Sequence, residues 1–160
     1  MPKSRFTINV ASGETFGLTT TLKTMFNVIA GSAKGFEIIE FSVSVDQGTG
    51  RFYVEIMEST ETTGGTKTST GAKQTGGYAS GTDGTPACTY GRIYSAEGTT
   101  YTAIKAYGWT PCPGPLIVQY PLSREPSSLL SGSTNHKALG IRVKIDSGTP
   151  NAYGFLEWEE

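Results

Sequence analysis

Few side chains in this sequence could carry covalent or acid–base chemistry, and their spacing works against each of them. His136 is the only histidine. No histidine pair can therefore hold zinc, and any catalytic triad would have to run through this one residue, set between Asn135 and Lys137 in a turn-like stretch. We read it as a solvated loop histidine. Glu157, Glu159 and Glu160 crowd the C-terminus. Strand alternation puts Glu157 and Glu159 on one face, but no second acid from elsewhere is implied, and an exposed terminal face is the ordinary home of such residues. The run Gly65-Thr-Lys-Thr-Ser-Thr-Gly71-Ala-Lys73 has the composition of a phosphate-binding loop. Its glycine spacing is wrong, Lys73 does not directly follow Gly71, and neither a buried strand before it nor a helix after it is indicated. Asp46-Gln-Gly-Thr-Gly50 offers a single carboxylate, too few for a calcium loop. Tyr101, Tyr107 and Trp109 could line a sugar platform, although aromatic residues at strand spacing more often form sheet surface or subunit contacts. We expect no catalytic residues, no cofactor and no metal.

Cys88 and Cys112 are the only cysteines. They allow one disulfide at most, which spacing neither proves nor excludes, and the reading we favour is two small buried thiols in a reducing cytoplasm. The start, Met-Pro-Lys-Ser-Arg-Phe, has positive charge with no apolar run behind it, so it does not read as a secretory signal. No stretch approaches the roughly 18 apolar residues of a membrane span. A formal net charge of −1, with no dense Lys/Arg run, removes the attraction that non-specific nucleic-acid binding requires. Neither a membrane nor nucleic acid is an expected partner.

The elements that would have to position any site are strands. Hydrophobic residues are 36% and charged residues 17% of the chain, and 21 glycines, with Thr and Ser, make up much of the rest, a composition suited to short strands and polar turns. At 160 residues the chain fits one domain, 1–160, with one core. Its clearest stretch is Lys137 to Asp146. Leu139, Ile141, Val143 and Ile145 alternate with Gly140, Arg142, Lys144 and Asp146, which predicts one buried and one wet face. Burying those four is worth about 6 to 12 kcal/mol gross, so the register is well specified.

Phe36 to Asp46 repeats the pattern, with Ile39, Phe41, Val43 and Val45 inward. After a glycine turn, Arg51 to Glu58 pairs back with Phe52, Val54 and Ile56 on the core side and Glu55 opposite. Weaker alternation marks Arg5 to Val10, Thr20 to Ala30, Cys88 to Tyr94, Thr100 to Trp109, Leu116 to Tyr120 and Ala152 to Glu159. Residues 1–12 read as a short strand or a contact arm. Leu129 and Leu130 fit one helical turn.

The residues from Ser59 to Ala87 contain almost no aliphatic side chains and one aromatic, Tyr78. Three readings stay open for this 59–87 excursion: a functional loop, a strand pair without apolar signal, or disorder. About eight or nine antiparallel strands predict an all-β sandwich or barrel, and a jelly roll is favoured over an immunoglobulin sandwich. No tryptophan lies centrally between the two cysteines, as an immunoglobulin domain would require.

With catalytic constellations lacking, the features outside the core suit protein contact. They are Lys3, Arg5 and Phe6 near the start, Lys67, Lys73 and Tyr78 in the Thr/Gly excursion, and the aromatic face around Tyr107. The layout resembles the small jelly-roll decoration, or cement, proteins of tailed bacteriophage capsids. The resemblance rests on Gly35-Phe-Glu-Ile-Ile-Glu-Phe-Ser-Val after a Thr-rich strand, the long Thr/Gly loop, and Pro121-Leu-Ser-Arg-Glu-Pro126. It continues through Gly132-Ser, the Lys137 to Asp146 strand and the closing Tyr153-Gly-Phe-Leu-Glu-Trp-Glu-Glu160. It implies a structural protein made in the host cytoplasm and carried on the outer surface of the virion. Such a protein is commonly a homotrimer that ties neighbouring major capsid subunits together, and the family offers no catalytic residues. The competing expectation is a carbohydrate- or receptor-binding jelly-roll module of a virion or tail.

Overall fold

A computed structural model describes residues 4–11, 14–31, 35–47, 50–59, 73–76, 86–95, 97, 101–121, 124–128 and 138–160; for 73–76 and Ser128 it describes the backbone alone. The described residues contain no helix and form β1 (Arg5–Val10), β2 (Lys23–Ile29), β3 (Phe36–Val45), β4 (Arg51–Ser59), β5 (Lys73–Gly76), β6 (Thr89–Arg92), β7 (Tyr101–Pro111), β8 (Gly114–Gln119), β9 (Ser127–Ser128), β10 (Ala138–Ile145) and β11 (Ala152–Glu159). They build two sheets in which every pair is antiparallel. The first runs β5-β1-β11-β3-β8, with β9 added to β3; the second runs β6-β2-β10-β4-β7. The chain is an all-β sandwich.

Its core is the layer between the sheets. Ile8, Phe41, Val43 and Leu156 from the first sheet and Phe26, Val54, Ile56, Ile141 and Val143 from the second are all fully buried. The strand at 138–145 behaves as its alternation requires. It pairs with β4 without interruption from Ala138↔Ser59 to Ile145↔Phe52, keeping Leu139, Ile141, Val143 and Ile145 in one buried row. Trp158 joins the layers, stacking on Phe6 at 5.7 Å within the first sheet and meeting Tyr90 of β6 at 5.9 Å.

Three expectations change. Residues 5–10 do not form an arm. β1 lies inside the first sheet between β11 and β5, with Phe6, Ile8 and Val10 buried, because three alternating apolar side chains are stabilised more by a covered sheet face than by solvent. In β3 the ladder to β11 passes from Glu157↔Glu40 to Trp158↔Ile38, so Ile39 is an extra residue in a bulge. The bulge reverses the phase upstream: Phe36 and Ile38 are buried and Ile39, expected inward, is half-buried. Part of the 59–87 excursion is regular, since Ser59 closes β4 and Lys73–Gly76 pairs with β1. The rest, 60–72 and 77–85, lies outside the described residues, as do Lys3, His136 and the helical turn expected at Leu129 and Leu130.

The fourth change matters most for function. β6 and β7 are consecutive described strands, yet they occupy opposite edges of the second sheet, and Glu97, described between them, lies on that sheet's outer face beside Arg142. Its path shows at three residues. Tyr94 is buried, Glu97 bonds Thr24 of β2, and Tyr101 lies over Arg142 of β10. The corner that starts the crossing is Ile93, at φ 54°, a left-handed conformation that costs a β-branched residue about 1–2 kcal/mol. Beneath this strap the outer face of β10, expected wet along its length, is dry at Gly140 and nearly so at Arg142, and becomes solvated only at Lys144 and Asp146.

Candidate binding surface

Under the strap sits a closed ionic cluster. Thr24 donates to the Glu97 carboxylate through its backbone nitrogen (2.6 Å) and its hydroxyl (2.5 Å). Arg142 stands 3.6 Å from Glu55 and 4.0 Å from Glu97, donates to the Leu22 carbonyl at 3.3 Å, and faces the Tyr101 ring at 4.7 Å. Glu55 keeps only 6% of its side chain exposed. These carboxylates are bound to an arginine and a hydroxyl rather than turned toward an open cavity, so the cluster fastens the strap to the sheet.

Beyond the strap the same face is open and aromatic. Cross-strand pairing sets Lys144 opposite Tyr53 and Tyr53 opposite Trp109. The Tyr53 and Trp109 rings lie 5.6 Å apart. Lys144 Nζ is 5.1 Å from the centre of Tyr53 and 5.5 Å from that of Trp109, and the Arg51 guanidinium is 5.6 Å from Trp109. Arg51 also pairs with Asp146 at 3.2 Å, whereas no described carboxylate reaches Lys144. The large hydrophobic side chains exposed among the described residues are Ile104 (50%), Trp109 (42%) and Ile117 (62%). All three lie on β7 and β8, the free edges of the two sheets on one side of the sandwich. β7 is bulged at two places, and Gly108 takes φ +74° in the first, so this long edge is twisted away from simple strand pairing.

Those bulges also break up the expected aromatic row. Trp109 and Tyr101 face outward, but Tyr107 turns between the sheets, edge-on to Phe41 at 5.4 Å, with its hydroxyl bonded to that of Tyr120. Burial raises the pKa of both phenols, leaving them protonated at neutral pH. Of the other contact residues expected from sequence, Phe6 is buried against Trp158. Arg5 is engaged by Glu159 (2.5 Å) and Glu157 (3.3 Å). Lys67 and Tyr78 lie outside the described residues, and Lys73 is described only as backbone in β5. Among the described residues, β5 sets the Lys73 backbone beside Arg5 and Phe6 of β1, while Tyr107 lies apart from them on β7. Arg51, Tyr53 and Lys144 were missed: their every-second-residue spacing is visible in the sequence, but which strands lie side by side is not. No disulfide joins Cys88 and Cys112, and burial raises the pKa of the Cys112 thiol, which makes it a poor nucleophile at neutral pH.

A cleft of about 530 Å³ opens at the end of the sandwich, between Asp46 and Gln47 on one side and the β10–β11 turn, 147–151, on the other. Asp46 is held by the Asn151 backbone nitrogen and the Tyr153 hydroxyl, both at 3.2 Å. Among the described residues no group of three or more His, Cys, Asp or Glu side chains is placed to hold a metal ion. Compared with protein-family models, with curated proteins and with solved structures, the chain matches none.

Proposed function

We propose that this chain is a non-enzymatic jelly-roll decoration protein that binds the outside of a phage head and ties major capsid subunits together, acting as a homotrimer. The strand orders support the jelly-roll reading. β1-β11-β3-β8 faces β2-β10-β4-β7, and each of the eight strands finds the neighbours that two nested antiparallel Greek keys would give it. β5, β6 and β9 then extend this frame.

The observation that carries the binding reading is the gathering of Ile104, Trp109 and Ile117 on one side of the molecule, beside Arg51, Lys105 and Lys144. Apolar and aromatic residues at the centre with cations around them fit a protein surface of complementary, acidic character. A sugar platform is disfavoured at this place, because Lys144 and Arg51 already occupy the Trp109 ring that a sugar would need. A protein that binds an assembled shell but not its free subunits stabilises it by about 2.7 kcal/mol per site at a hundredfold excess over Kd.

Light scattering of the purified protein, followed by co-sedimentation with expanded capsids lacking it, tests this. The expected result is a trimer that sediments with the shells and raises their melting temperature. Trp109→Ala together with Lys144→Glu should abolish co-sedimentation while leaving the protein folded. A monomer indifferent to the shells overturns the reading.

A further inference from the structure

The cleft at 147–151 has a different chemistry from the aromatic side. Among the described residues its mouth is made of short polar side chains, Gln47, Ser147, Thr149 and Asn151, around one carboxylate, Asp46, with no lysine or arginine. Without a cation the site repels phosphate, sulfate and uronate groups. Asp46 is already oriented. Asn151 N reaches its Oδ1 and the Tyr153 hydroxyl its Oδ2, so each carboxylate oxygen keeps acceptor capacity for a ligand, and the group need not be reorganised on binding. Pro150 lines the cleft, supplying apolar surface next to the polar groups. The volume, about 530 Å³, lies in the range of small-molecule sites.

We infer that this cleft binds a neutral saccharide unit, with Asp46 accepting hydrogen bonds from two of its hydroxyls. A polyol supplies the donors that a fixed carboxylate and neighbouring hydroxyl and amide groups can use, and its C–H face suits the Pro150 ring. The inference goes beyond capsid attachment and does not depend on it, since the cleft belongs to a single chain and lies at the turn end of the sandwich.

The test is saturation-transfer NMR on the full-length protein with a panel of neutral methyl glycosides (glucoside, galactoside, mannoside and N-acetylglucosaminide) and glucuronate, with amide chemical-shift mapping for inorganic phosphate and calcium, which carry no protons to saturate. At least one neutral glycoside should receive saturation at millimolar concentration, while glucuronate receives none and phosphate shifts no cleft amide. Asp46→Asn should weaken that binding at least about tenfold, the loss of one charge-assisted hydrogen bond. Thr149→Tyr, at an exposed position that fills the cleft, should abolish it, and Trp109→Ala should leave it unchanged. Thermal melts identify any variant that fails to fold. Thr149→Tyr then serves as the deciding variant if Asp46→Asn unfolds. The inference is overturned if no neutral glycoside binds, if Trp109→Ala removes binding and Thr149→Tyr does not, or if calcium alone perturbs the cleft.

Discussion

Replacing Arg142 by Met should be among the costliest single changes outside the core, although the sequence places Arg142 on a wet strand face. Arg142 is 16% exposed and is, among the described residues, the cation within ion-pair distance of Glu55, which is 6% exposed; Glu97, at 28%, is the more solvated partner. Removing the arginine leaves the Glu55 charge buried and unpaired, a situation that costs about 3–5 kcal/mol. The lower end applies here, because the separations of 3.6 and 4.0 Å are long and Glu97 can turn to water. At roughly 2–4 °C per kcal/mol for a chain of this size, the melting temperature should fall by about 10 °C.

The second substitution makes the test specific. Glu55→Leu introduced into Arg142→Met removes the orphaned charge, and the double variant should regain about 2 kcal/mol over the single one. Urea unfolding of the wild type, both single variants and the double variant gives the coupling. Amide exchange at Ile93 and Tyr94, which bond Met25 and Thr24 across the start of the strap, reports whether the strap loosens. If Arg142→Met costs less than about 1 kcal/mol, or if the two changes simply add, the cluster does not fasten the strap and the reasoning fails.

Other outcomes follow from the same structure. Val143→Asp should abolish soluble folding and Lys144→Ala should leave stability nearly unchanged, since Val143 is fully buried and Lys144 faces solvent; equal tolerance would refute the register. Gly154→Ala should destabilise by more than about 3 kcal/mol, because a Cβ there would press on the Ser42 carbonyl, with Val43 Cα at 3.2 Å, in a backbone conformation nearly confined to glycine; a normal melting curve would contradict this.

Glu157 has its pKa raised by burial first and by the nearby Glu40 and Glu159 charges, against the opposing pull of Arg5. A raised folded pKa means stability gained as the pH falls toward it and lost as the pH rises through it. Glu157→Gln should therefore raise the urea midpoint at neutral pH and flatten its dependence on pH in the mildly acid range. Glu14 runs the other way. Its hydrogen bond to Arg92 lowers its pKa, so its contribution is present at neutral pH and is lost as the pH falls through the lowered value. Arg92→Met should remove that loss from the acid limb of the stability curve.

What the sequence determined by itself was the local alternation. Period-two runs at Leu139 to Ile145, Phe41 to Val45 and Phe52 to Ile56 define strands whose buried rows hold, because a strand fixes the side of each residue relative to its neighbour and burial then selects one phase. The class of fold follows from many such runs and no helical period. What local pattern cannot contain is which strands lie side by side and what passes over them. Ile39 changed phase through a bulge against β11, and Phe6 turned out to be interior because β5 and β11 flank it.

The site divides in the same way. Tyr53, Lys144 and Trp109 are far apart in the chain and become one surface only because β10, β4 and β7 are neighbours. Tyr107 and Trp109, two residues apart, point to different sides because a bulge lies between them. Arg142 and Lys144 occupy equivalent positions in one alternating run. Glu97 and Tyr101 cover the first and spare the second, a long-range covering that only the tertiary structure decides.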